Sequence, residues 1–284
     1  MKKILCLLLI SITGVFAANG MFSSALPENW IADVVASVKY SRNTYDNWTA
    51  GGTNTNSWQF HYDADVTGKW DIFNWRNVLN LAWGQTYTAN LGTRKSVDKI
   101  FFESDLDYNH FEPFKPYLGV RFESQFTTGY KYYDSIAVPY HVARSDFMDP
   151  GYFTQFIGIG YIPNDNFSQR IAFANRMIFS DKYGAADDKK TAKVEKFKNE
   201  PGIESTTEYK VSLFSILTFK TRLWGFTNFK GRKEIDGKWE NGLSVTILPL
   251  LELSASVDIA YDKDTNKDHQ YRDAVNLGIT WRWF

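Results

Sequence analysis

Residues 250–262 read Leu-Leu-Glu-Leu-Ser-Ala-Ser-Val-Asp-Ile-Ala-Tyr-Asp. From Leu251 on, Leu253, Ala255, Val257, Ile259 and Tyr261 alternate with Glu252, Ser254, Ser256 and Asp258. A period of two puts the apolar side chains on one face of an extended strand and the polar ones on the other. Downstream the pattern returns, with Val275, Leu277, Ile279, Trp281 and Trp283 set against Arg272, Asn276, Thr280 and Arg282. Upstream it recurs in Trp58, Phe60, Tyr62, Ala64 and Val66, and again in Leu79, Leu81 and Trp83. Extended over the whole chain, it predicts strands near 30–40, 57–70, 75–87, 100–110, 116–131 and 151–162, then near 167–180, 203–214, 218–229, 238–247, 250–262 and 271–284. Strands of about ten residues suit a tilted crossing of an outer membrane.

The connections sort by length. Short turns are expected at Asp71–Asn74, Phe111–Lys115, Pro163–Asn166, Ser215–Leu217 and Leu248–Pro249. Between them fall long loops at Ser41–Asn56, Thr88–Lys99, Tyr132–Pro150, Asp181–Gly202, Lys230–Gly237 and Asp262–Gln270. Strict alternation of this kind is what a barrel needs when its short turns are periplasmic and its long loops extracellular. The predicted fold is therefore all-β: a transmembrane, antiparallel, up-and-down β-barrel of about 12 strands spanning residues 18–284. A soluble β-sandwich is the competing reading, but nothing in it would sort the loops. Trp30, Trp58, Trp70, Trp75, Tyr161 and Trp239 lie at strand ends, where interfacial aromatic girdles belong. Closure also removes the strand edges that lipid cannot hydrogen-bond.

The termini fit an exported barrel. Lys2 and Lys3 precede the apolar run Ile4–Ile10, and small residues end at Ala17, so residues 1–17 read as a signal peptide; an uncleaved anchor is the alternative. Cys6, the single cysteine, lies inside that segment, which removes disulfides, a thiol nucleophile and Cys-ligated metals from the mature chain. Without Lys2 and Lys3 the chain carries 30 basic and 32 acidic side chains, so no basic field exists to gather nucleic acid. No later run of 18 apolar residues forms a helical span, whereas barrel strands give only alternation. The terminal Phe284 resembles the signal read by barrel assembly machinery, although the outward row of Trp283, Trp281 and Ile279 is one residue out of step with it. Outer-membrane lipid and that machinery are the expected partners.

Several short motifs carry a family resemblance. Trp48-Thr49-Ala50-Gly51-Gly52, the Trp75–Gly84 strand, Arg94-Lys95-Ser96 with Asp98, and Gln125-Phe126 ahead of Gly129-Tyr130 resemble an uncharacterised outer-membrane family common in Bacteroidetes, a domain of unknown function. The likeness covers roughly residues 30–135. It implies a barrel in the cell envelope and carries no activity with it.

Candidate chemistry is sparse. His61, His110, His141 and His269 are far apart and lack HExxH spacing; His110-Phe111-Glu112 lacks the Cys partners of a zinc deaminase. No metal site and no cofactor are expected. A Ser-His-Asn lipase arrangement finds no Ser two residues from His61 or His110 on a shared face. Gly51-Gly52 reads as a turn, and the charged stretch from Asp187 to Glu200 reads as a solvated loop. Gly158, Gly160, Ala172 and Ala174 form a small inward patch, either a bend or room for a ligand or a folded-in loop. Parity points Asp63, Asp65, Glu103, Asp105 and Asp107 into the lumen as an acidic wall, along with His61, Lys69 and Arg76. It points Arg170, Arg176, Lys210, Lys220 and Arg222 inward as a basic wall, along with Glu208. Held apart, the two walls would line a channel; in contact, they would pair and close it. The expected function is a small passive porin or channel for polar solutes. The alternatives are a closed structural or surface-interaction barrel with a salt-bridged lumen, and third an outer-membrane enzyme.

Overall fold

The computed structural model describes residues 26–44, 53–134, 140–187, 192–214, 216–229, 235–262 and 266–283. Residues 1–17, Gly51-Gly52 and Phe284 lie outside the described residues, and so do the expectations placed on them. The first strands are β1 (Trp30–Asn43), β2 (Thr55–Lys69), β3 (Phe73–Thr88), β4 (Gly92–Tyr108) and β5 (Phe114–Ser124). A small hairpin, β6 (Gly129–Tyr133) and β7 (Tyr140–Ser145), follows. The chain continues through β8 (Gly151–Asn164), β9 (Phe167–Phe179), β10 (Phe197–Leu213) and β11 (Leu217–Asn228). It ends with β12 (Ile235–Leu248), β13 (Leu251–Asp262) and β14 (Asn266–Trp283).

Twelve of these strands close into one barrel in the order β1-β14-β13-β12-β11-β10-β9-β8-β5-β4-β3-β2. Each pairs antiparallel with its neighbours, and closure is made by β1 on β14, from Val34 opposite Trp283 to Tyr40 opposite Leu277. The registers carry one apolar row around the outside. Phe60 pairs with Trp83 and Val38; Leu79 with Phe102 and Ala64; Leu277 with Leu253 and Tyr40. Ile157, Ile159, Ile171, Phe173 and Val275 on that exterior are 57–68% exposed, which suits hydrocarbon rather than water. Leu79 shares the outer row but is itself only 7% exposed. At the turn end, Trp30 meets the rings of Trp70 and Trp75 at 5.6 and 5.9 Å in edge contacts, and nearer the loop end Trp58 meets Trp83 at 4.9 Å.

The strand count and register follow the alternation, but four expected connections differ. Thr88–Lys99 is not a loop: β3 and β4 pair as far as Thr88 opposite Gly92, leaving a three-residue turn in which Asn90 takes φ 70°. Likewise β14 begins at Asn266 and β10 at Phe197, inside the stretches expected to be loops. Beyond the apolar outer row the two faces of a strand no longer differ in chemistry, so a run such as Thr93-Arg94-Lys95-Ser96 is strand without alternation. A bulge at Gly84/Gln85 shifts the pattern further. The strand expected over 116–131 ends at Ser124, and the loop expected over 132–150 holds half of the β6–β7 hairpin.

Candidate functional site

The alternate residues of every strand point into the bore, and their charges form one connected chain across it. Asp65 (β2) pairs with Arg76 (β3) at 2.8 Å, and Arg76 reaches Glu208 (β10) at 3.0 Å. Glu208 also takes Arg222 (β11) at 3.1 Å, and Arg222 reaches Glu103 (β4) at 3.1 Å. Glu103 takes Arg121 (β5) at 2.5 Å, and Arg121 ends the chain on Glu204 (β10) at 3.0 Å. The indole N–H of Trp224 donates to Glu204 at 3.2 Å. Because β3 and β10, and β4 and β11, stand nearly opposite in the ring, these pairs run across the bore as a septum. Lys99 (β4) to Glu240 (β12), 2.9 Å, and Lys238 (β12) to Glu123 (β5), 3.5 Å, span it nearer the loop end, and Lys210 to Asp33, 2.7 Å, near the turn end.

One side of the septum is filled. Arg170 joins Asp105 at 3.0 Å and Asp107 at 3.1 Å, and its guanidinium lies 4.8 Å from the Tyr117 ring. Phe156 and Phe226 pack here with Tyr117, Ala172 and Ala174. The small residues exist to admit those rings: a Cβ at Gly119 would stand 2.5 Å from Phe156 Cε2, and one at Gly202 2.8 Å from Phe226 Cε2. At Gly158 a Cβ would come within 2.0 Å of the Ile171 carbonyl oxygen. In the inward patch, Ala172 and Ala174 are packed by Tyr117, Phe156 and Phe226, Gly158 lies against Ile171 and Ala172, and Gly160 lies beside Arg170 and Ile162. The space left among the arginines is about 10 Å³, roughly one water.

The other side is lined by small polar groups at mid-height, between Arg272–Asp258 toward the loop end and Arg282–Glu252, 2.7 Å, toward the turn end, with Lys39 lying against Gly278. Gly242 and Ser244 of β12, Ser254 and Ser256 of β13, and Ala274 and Asn276 of β14 face inward and remain half-exposed. No atom lies within 4 Å of the position a Cβ would take at Gly242. Lys220 projects inward yet is exposed. Above the septum, at the loop end, opens a vestibule of about 1690 Å³.

The residues expected to form two opposed walls all lie on bore-facing positions, but the division between them is incomplete. Glu103, Asp105 and Asp107 meet Arg222 and Arg170 from the other side. Asp65 is paired within its own wall by Arg76, and Asp63 accepts from Asn80 at 2.8 Å. Arg176 takes Glu200 and Asp236, both at 2.6 Å, and Lys210 takes Asp33. Among the described residues Lys220 has no ion pair. Arg121 and Glu204, the most enclosed pair, were absent from the expected walls; the alternation of Leu118, Val120 and Phe122 around Arg121 was the signal available for the first. The histidines stay apart: His61 Nε2 is hydrogen-bonded with the Gln59 side-chain amide at 3.0 Å, His110 sits between Tyr108 and Phe111, and His141 packs on Tyr130.

Comparison with known proteins places the chain beside other barrels at low identity. An outer membrane channel from Pseudomonas putida F1 is 10% identical, with a TM-score of 0.42 over 94% of this chain and 100% of that one. The translocator domain of the autotransporter NalP from Neisseria meningitidis is 10% identical, with a TM-score of 0.40 over 99% and 96%. The NanC porin is 7% identical, with a TM-score of 0.43 over 87% and 98%. No curated protein sequence matches the chain. The family described as "Protein of unknown function (DUF3078)" matches residues 40–130, which run from the end of β1 into the β6–β7 hairpin.

Proposed function

We propose that this protein sits in the outer membrane, short turns in the periplasm and vestibule outside, and passes small polar solutes along the unfilled half of its bore. The observation that carries this reading is the asymmetry of the lumen. The large inward rings and the buried ion pairs gather at the septum and on the β5–β10 side, while opposite, between the Arg272–Asp258 and Arg282–Glu252 pairs of β13 and β14, Gly242, Ser244, Ser254, Ser256 and Asn276 keep water contact. A barrel meant only to be filled would put large side chains on both halves. Residues 1–17 as a signal peptide, the apolar exterior and the vestibule support export, insertion by the assembly machinery and access from outside. The test is single-channel conductance of refolded protein in a planar bilayer. Stepwise openings are expected, and Gly242→Trp, at a position whose Cβ would have no atom within 4 Å, should shrink them. A wild-type protein that inserts and never conducts would overturn the proposal. A second reading, a closed barrel serving as a structural or surface-interaction protein, is favoured by the pairs that bridge the bore and the small void between them; the same recording separates the two.

A further inference from the structure

Two of the motifs that carry the family resemblance, Arg94-Lys95-Ser96 with Asp98 and Gln125-Phe126 ahead of Gly129-Tyr130, meet at the root of the β6–β7 hairpin. Asp98 of β4, its side chain 2% exposed, accepts from Phe126 N at 2.6 Å, Thr127 N at 2.9 Å and Thr127 Oγ1 at 2.8 Å. Lys95 Nζ donates both to Asp98 and to the Thr127 carbonyl at 2.9 Å. Arg94 holds Asp134, beyond β6, through two bonds of 2.6 Å and lies 4.0 Å over the Tyr132 ring. At the other root, Gln125 Nε2 donates to the Asp146 carbonyl. Asp149 then accepts from Ser180 Oγ, Asp181 N and Lys182 N, tying the hairpin to the next loop. Burial alone would raise the Asp149 carboxyl, but those hydrogen bonds hold it below the usual carboxylate range.

This latch fixes which face the hairpin shows. Tyr130, Tyr132 and His141 turn toward Arg94 and one another, so Lys131 and Arg144 turn toward the vestibule and line it. The other cations there are committed: Lys99 to Glu240, Lys238 to Glu123, Arg176 to Glu200 and Asp236. Among the described residues Lys131 and Arg144 have no carboxylate partner; both lie against Tyr133, whose ring stacks on Tyr140 at 4.7 Å. Two cations that lack a carboxylate partner, beside a stacked pair of phenols, can take an oxyanion together with an apolar, hydroxyl-bearing body.

We propose that Lys131 and Arg144 form a binding site at the vestibule for a small oxyanion-bearing polar solute, a sugar acid or sugar phosphate, held in position by the Arg94–Asp134 and Asp98 latch. This rests on the reading of the vestibule as the solute's way in. The experiment is titration calorimetry on refolded protein in detergent with glucuronate, glucose 1-phosphate and glucose, with folding checked by heat-dependent gel migration. At least one anion should bind and neutral glucose should not; the preference between the two assigns carboxylate or phosphate. Lys131→Gln with Arg144→Gln should weaken binding by about tenfold for each cation lost, and each single variant by about tenfold. Asp98→Ala keeps both cations but unties the hairpin, so it should lose affinity while trypsin cuts faster within residues 129–145. Lys69→Gln, at the turn end, should bind as wild type. Unchanged affinity in the double variant, or glucose binding as well as the anions, would overturn the site. Because binding is read without a membrane, a barrel that binds but does not conduct defeats the channel alone, and one that conducts but does not bind defeats the site alone.

Discussion

Arg121 lies 4% exposed between Glu103 and Glu204, and Glu204 is 2% exposed with, among the described residues, no other charge paired to it than that guanidinium. Glu103 keeps a second cation, Arg222, if Arg121 is removed; among the described residues Glu204 keeps only the Trp224 indole N–H. Breaking a buried pair from one side costs more than the pair contributes, because a desolvated charge is stranded. Arg121→Met should therefore destabilise the barrel by about 3–5 kcal/mol in denaturant unfolding from lipid vesicles. Adding Glu204→Gln should recover part of the loss, since it discharges the stranded group. A single variant as stable as wild type would mean that water reaches Glu204 and the septum is not dry. Individual inward residues such as Glu103 and Arg222 were legible from parity. Their partners were not, since pairing across a bore depends on strands nearly opposite in the ring, and parity carries no information about reach.

Strands repeat this contrast on a larger scale. Along β14, Val275, Leu277 and Ile279 point outward and Ala274, Asn276 and Gly278 inward, and the register with β13 keeps the two sets apart. A shift of one residue would exchange them, so the apolar row itself holds the register. Leu277, 47% exposed and midway along the outer row of β13 and β14, should tolerate Arg badly, at about 2–4 kcal/mol in lipid if it lies near mid-membrane. Equal stability of Leu277→Arg in vesicles would place that position at the interface or facing inward. Stretches like this one were readable because an apolar exterior and a polar interior impose two chemistries on neighbouring residues. Where β3, β4, β10 and β14 rise past the apolar row, that constraint lapses, and Thr93–Ser96 or Phe197–Glu200 read as loop although they pair as strand. The β6–β7 hairpin was hidden for the same reason: its Tyr and His residues alternate with nothing apolar enough to mark a face.

Across the whole molecule the septum divides the lumen into halves of opposite character, and the division can be tested by adding volume to each. On the filled side, Gly158 and Gly119 lie where backbone and ring atoms approach closer than any Cβ allows, at 2.0 and 2.5 Å. Neither neighbour can retreat cheaply, because one is the carbonyl of a paired strand and the other belongs to a ring packed among Tyr117, Ala172 and Ala174. On the open side, Ser244, Ser254 and Asn276 face half-exposed space beside Gly242, which has nothing near it. Gly158→Val and Gly119→Val should therefore fail to reach the compact, heat-modifiable form. Trp at positions 244, 254 or 276 should fold with near-wild-type stability and change only what passes through the bore. The separation is sharp because folding and permeation would then map to different strands: β5 and β8 for the first, β12–β14 for the second. If Ser254→Trp and Asn276→Trp destabilise the barrel as much as Gly158→Val, both halves are packed, the apparent space closes in the membrane, and the bore is filled by side chains throughout.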